Sequence, residues 1–129
     1  MGGLRSTTYE IKGTTSDAVV SAIEKVLSPL YFRTRGSADK DMWVSMGFTD
    51  GYWYGFVRRD SNGMSLSLVY HIEDSDDESV ELHLVWDRYG ILSKLYPFRD
   101  ALAMVAKWQS ALEDGFRNAG FQVQKTFEY

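Results

Sequence analysis

His71 and His83 are the only histidines of the 129-residue chain, and each stands in a segment that alternates apolar and polar residues as a strand does. If the two segments pair across the acidic turn between them, with Ile72 against Val80 and Tyr70 against Leu82, then His71 faces Glu81 and His83 lies diagonally beside it. Two imidazoles and a carboxylate within mutual reach could hold a metal ion or form an acid–base pair. A strand-face histidine beside a glutamate more often makes a plain surface hydrogen bond, so no catalytic residue and no metal ligand is assigned. The turn Asp74-Ser75-Asp76-Asp77-Glu78 has carboxylates enough for calcium. It lacks the glycine and the distant bidentate glutamate of a helix-loop-helix calcium site, and it reads as a solvated turn.

Tyr54-Gly55-Phe56-Val57 resembles the core of the RNP1 sequence of RNA recognition motifs. The resemblance implies single-stranded nucleic acid stacked on Tyr54 and Phe56. Around the match the pattern departs, since Tyr52 and Trp53 stand where a basic residue and a glycine belong and Arg59 replaces the last aromatic. Charge also bears on this reading: the net charge is −4, divided as +2 over residues 1–59 and −6 over residues 60–129, whereas a nucleic-acid-coating surface needs a broad basic excess.

The chain has no cysteine, which removes disulfides, thiolate metal sites and cysteine nucleophiles together. It shows no phosphate loop, dinucleotide fingerprint, nucleophile elbow or metalloprotease helix, so no cofactor is implied and the reading leans away from an enzyme. No apolar run reaches membrane-span length, and a cytoplasmic protein is expected. Met1-Gly2-Gly3-Leu4-Arg5-Ser6 fits the spacing of an N-myristoylation signal, but with Arg5 as the one basic residue nearby it reads as a flexible start.

The elements that carry these residues follow from periodicity. Thr8 to Lys12 is a strand with Tyr9 and Ile11 on one side. Residues 16–28 form a helix, capped by Thr14, Thr15 or Ser16, apolar at Val19, Ile23, Val26 and Leu27, and stopped by Pro29. A short strand at Tyr31 to Arg35 precedes a meander of four at 42–48, 52–59, 64–73 and 79–87, and an irregular or short helical link at 88–97 follows. A second helix has the stripe Phe98, Leu102, Val105, Trp108, Leu112, Phe116 and Ala119, ended by Gly120. The last strand sets Phe121, Val123, Phe127 and Tyr129 on one side.

These elements predict one domain over residues 1–129. It is a two-layer α+β sandwich, with a mainly antiparallel sheet of about five to seven strands in the order β-α-β-meander-α-β and two helices packed on one face. Two-residue turns at Asp50-Gly51 and Asn62-Gly63 would set Tyr54 across from His71, Phe56 from Val69 and Arg58 from Ser67. That register gives the core Trp53, Val57, Leu66, Leu68, Tyr70, Ile72, Val80, Leu82, Leu84 and Trp86. It gives the opposite face Trp43, Tyr52, Tyr54, Phe56, Arg58, Val69, His71 and His83, with Arg33 and Arg35 fringing them. A three-residue Ser61-Asn62-Gly63 loop would move the register by one. An exposed aromatic face marks an interaction surface, so the expected function is a non-enzymatic binding module that engages a protein partner or a second copy, as a homodimer. A second reading is a cavity for a small apolar ligand between a curved sheet and the long helix, lined by Trp53, Tyr70, Trp86 and Trp108; single-stranded nucleic acid is a third.

Overall fold

The computed structural model describes residues 4–30, 32–35, 52–59, 63–75, 78–90 and 92–129, with the backbone alone for 33–35, 52–54, 56 and 57. In chain order the elements are β1 (Arg5–Lys12), α1 (Ser16–Leu27), β2 (Arg33–Arg35), β3 (Tyr52–Arg59), β4 (Ser65–Ser75), β5 (Ser79–Arg88), α2 (Phe98–Asn118) and β6 (Gln122–Glu128). Short 3-10 turns occupy Ser28–Leu30 and Leu92–Leu95. The expected strand at 42–48, and Trp43 with it, lies outside the described residues.

All pairings are antiparallel, and the six strands lie in the order β2-β3-β4-β5-β1-β6. This is the expected α+β sandwich, with both helices on one face. No described helix is long and apolar enough to cross a membrane.

Local chemistry explains the helix ends. Thr15 caps α1 by accepting the N–H of Ala18 at 3.3 Å, and Ser16 donates both its N–H and its hydroxyl to Asp74 Oδ1 at 3.0 and 2.7 Å. That pair of bonds ties the start of α1 to the end of β4. At its other end α2 closes on Gly120, whose φ of 85° is left-handed, while Phe121 N–H returns to the Phe116 carbonyl at 3.0 Å. The helices meet so closely that a Cβ on Gly115 would collide with Val26 Cγ2, and a larger residue there would have to displace Val26.

Spacing likewise explains the core. The buried residues of α2 are Ala101, Val105, Trp108, Gln109, Leu112 and Phe116, a single stripe that omits the exposed Phe98 and Ala119. They cover Tyr9 and Ile11 of β1, Leu66, Leu68, Tyr70 and Ile72 of β4, and Val80, Leu82, Leu84 and Trp86 of β5. Each such fully buried side chain contributes about 1.5–3 kcal/mol relative to exposure. Phe32 lies edge-on to Trp86 and to Trp108, with ring centroids 6.2 and 5.6 Å away, and so fills space between the sheet and α2.

Three registers differ from expectation, and the size of each shift decides its consequence. Between β3 and β4 the shift is one residue: Arg59 pairs with Ser65, and Tyr52, Tyr54, Phe56 and Arg58 pair with Ile72, Tyr70, Leu68 and Leu66. Because side chains alternate, a one-residue slip exchanges the faces. The expected outward placing of these four is therefore corrected, and Trp53 and Val57 come into register with His71 and Ser67 instead. Gly55 pairs with Val69 rather than Tyr70. Between β4 and β5 the shift is two residues, which preserves the faces, but it brings His71 opposite His83 and Glu81 opposite Glu73. Between β1 and β6 a bulge intervenes: Tyr9 pairs with Lys125 but Thr8 with Phe127, leaving Thr126 over. Phe127 thus leaves the side of Val123.

Candidate functional site on the outer face

The sheet face away from the helices is built in rows that cross the strands. One row runs from Trp53 of β3 through His71, His83 and Thr8 to Phe127. The row beside it runs Gly55, Val69, Val85 and Ser6, and ends at Tyr129, whose backbone exchanges hydrogen bonds with Ser6 at 3.2 and 2.8 Å. On the other side of the histidines, Glu73, Glu81 and Glu10 stand opposite one another and end at Gln124. Arg33 and Arg35 pair with Val57 and Gly55, so the register sets them at the β2 margin of this same face.

This face has two parts. Toward β4 it is covered, since Val69 and His71 are 3% and 2% exposed and Ser67 and Val85 are also buried. Toward β1 and β6 it is open. His83, Ser6 and Thr8 are half-buried there, and the last two aromatic rings are exposed, Phe127 by 52% and Tyr129 by 80%. The bulge produces this opening, because a regular ladder would have sent Phe127 to the helix side.

His83 is the most constrained polar group of the open part. Its Nε2 lies 3.0 Å from Ser6 Oγ and its Nδ1 2.8 Å from Thr8 Oγ1, so both ring nitrogens are held from one neighbouring strand. Burial, and secondly the charge of His71 across β4, push its pKa below the ordinary 6.5, so the ring is neutral at pH 7. A neutral imidazole beside a serine hydroxyl is the pairing a nucleophile requires. Here, however, the second nitrogen is held by a hydroxyl rather than a carboxylate, and the Ser6 N–H is committed to the Tyr129 carbonyl rather than to an oxyanion. The arrangement reads as a rigid hydrogen-bonding ladder. Glu81 does not join the histidines, and among the described residues no three His, Asp or Glu side chains converge as metal ligands.

The residues expected here are thus divided. Val69, His71 and His83 lie on the outer face, whereas Tyr52, Tyr54 and Phe56 are in register with the core side. Arg58 is on the core side with its whole side chain: its guanidinium donates to the Leu30 carbonyl and lies 4.3 Å from the Trp108 ring centroid. Ser6, Thr8, Phe127 and Tyr129 were not expected. The alternation Ser6-Thr7-Thr8 carries on the expected first strand and was available as a signal. The bulge that turns Phe127 outward has no local signature in Lys125-Thr126-Phe127.

A second exposed region follows β5. Tyr89, Leu92, Leu95 and Phe98 are all exposed large apolar residues; the first three fall within the expected link at 88–97, and Phe98 opens α2. Comparison of the sequence with protein-family models and with curated proteins gives no match.

Proposed function

We propose that the chain is a non-enzymatic binding module that takes a protein partner on the open part of its outer sheet face. The observation that carries the reading is the juxtaposition, across β5, β1 and β6, of two exposed aromatic rings, Phe127 and Tyr129, with the fixed hydrogen-bonding groups of Ser6, Thr8 and His83. Aromatic anchors beside preorganised polar groups are the composition of interface hot spots. The row of Glu73, Glu81 and Glu10, relieved by Lys12 at 3.4 Å from Glu10, favours a partner with a basic margin around an apolar centre. A second copy would bring the same glutamates and the same net charge of −4.

The test is the double variant Phe127→Ser/Tyr129→Ser, used against wild type in affinity capture from cell extract and in sedimentation of the isolated protein. Because both rings are exposed, stability should change by no more than about 0.5 kcal/mol. A specific partner held by wild type should be lost from the variant. If wild type is a dimer that the variant converts to monomer, the occupant is a second copy; if capture and mass are both unchanged, the face is not the docking surface.

A further inference from the structure

We infer that the segment from Arg88 to Arg99 is a preformed docking tip for an anionic lipid surface. It is a site separate from the outer sheet face.

Its described residues, 88–90 and 92–99, are anchored at several points. The Arg88 guanidinium donates to the carbonyls of Tyr96 and Lys94 at 3.0 and 3.4 Å, and Ser93 Oγ, buried, accepts the N–H of Ser65 at 2.9 Å. Tyr89 N–H donates to the Ser65 carbonyl at 2.8 Å, and the Tyr96 hydroxyl packs so closely on Gly63 that an added Cβ would lie 2.8 Å from it. A segment anchored from β4 and β5 in this way could have turned its apolar side chains into the core. It does the opposite. Leu92 and Leu95 are 76% and 77% exposed, Phe98 54% and Tyr89 41%. Leu92 and Leu95 therefore present most of their apolar surface to solvent, while Phe98 stays exposed with the Arg88 guanidinium 5.8 Å from its ring centroid.

Charge identifies the occupant. Residues 88–99 carry Arg88, Lys94 and Arg99 and no acid, within a half of the chain whose net charge is −6. Asp87 and Asp100 bound the stretch; the Asp87 carboxylate accepts the N–H of Arg88 at 2.8 Å, and Asp100 lies in the first turn of α2. Leucines that can enter the acyl boundary, aromatics suited to the headgroup level and cations at their flanks are the combination that binds an anionic membrane surface without spanning it. A twofold pairing of this tip with a second copy would oppose the same three cations.

Sedimentation with phosphatidylcholine vesicles, with and without phosphatidylserine, tests the assignment. Wild type should bind the phosphatidylserine vesicles, weakly enough to be released by salt, and should leave the neutral vesicles unbound. Leu92→Ser/Leu95→Ser and Lys94→Glu/Arg99→Glu should each lower the affinity by about tenfold or more with circular dichroism unchanged, since all four side chains are exposed. Failure of wild type to bind either vesicle, or binding that both variants retain, overturns the assignment. So does a concentration-dependent oligomer that the leucine variant dissolves, which would make the tip a protein interface.

Discussion

Strands β1 and β5 carry a polar cluster on each face, and the two clusters differ in what surrounds them rather than in what they contain. On the helix side Trp86 Nε1 donates to Gln109 Oε1 at 3.0 Å, and Gln109 Nε2 donates to Thr7 Oγ1 at 3.2 Å. On the outer side Ser6 and Thr8 hold His83. Thr7 is fully buried and its neighbours are half-buried, so successive residues of one strand face a dry interior and a wet surface. A hydrogen bond lost in the first setting leaves an unsatisfied group; one lost in the second is replaced by water. Equal chemistry therefore serves cohesion beneath α2 and remains available for recognition outside.

The helix-side cluster extends through Lys125, which lies 3.5 Å from Glu113 and 3.1 Å from Glu128, and through Tyr9, whose hydroxyl donates to Glu113 at 2.5 Å. Burial first, and then Glu113 as hydrogen-bond partner and charge, push the Tyr9 phenol far above its ordinary range, so it remains a neutral donor. Gln109→Leu breaks this side of the comparison most severely. It deprives the buried Trp86 N–H of its acceptor and Thr7 of its donor, and should cost about 2–3 kcal/mol, read as a lower urea midpoint at unchanged slope. A cost under about 1 kcal/mol would mean that the cluster adds little to cohesion.

The neighbouring threonines give the sharper version. Thr7→Val and Thr8→Val are the same chemical change at adjacent positions, made once in each setting. The first should destabilise by about 1–2 kcal/mol, because Gln109 Nε2 loses its nearer acceptor inside; the second should stay within about 0.5 kcal/mol. Equal losses from the two would show that the outer cluster is also part of the core.

How much of this could be read in the sequence depends on whether a local pattern or a turn length decided it. Periodicity is local, and it located both helices and the core faces of β4 and β5, where Leu66 through Ile72 and Val80 through Trp86 place a large apolar residue at every second position. Register is decided by the number of residues in a turn. Arg59 pairs with Ser65 where the Asn-Gly turn would pair it with Leu66, and that one-residue difference was enough to bring Tyr54 and Phe56 into register with the core side, while two fewer residues between β4 and β5 changed partners and no faces. Thr126, the extra residue of the β6 bulge, is an ordinary strand residue, and only the pairing on β1 shows it to be surplus. Gln109 could have been suspected: it falls on the buried stripe of α2 between Val105 and Leu112, where a polar side chain needs a partner. The exposed leucines after β5 gave no periodic signal, because a surface tip repeats with neither the helical nor the strand period.

The smallest expected effect concerns pH and bears on the outer cluster alone. The groups around His83 are His71 opposite it on β4, Ser6 and Thr8 on β1, and Glu10 and Glu81 in the neighbouring row. Its pKa is lowered on folding, by burial first and by His71 second, so the unfolded chain takes up this proton at a higher pH than the folded one. Stability should therefore be level above the ordinary value of 6.5, fall as pH drops below it, and level again once the folded ring has also protonated. Glu128 acts in a separate window: its hydrogen bond from Lys125, the leading cause, lowers its pKa from 4.5, so its contribution is lost only in stronger acid. His83→Gln keeps a donor and an acceptor at the ladder but cannot titrate. Urea midpoints measured from pH 8 to about pH 5 should slope for wild type and run flat for the variant over the histidine window. A slope that survives in His83→Gln would transfer the effect to another group, and the outer ladder would then be insensitive to protonation over that window.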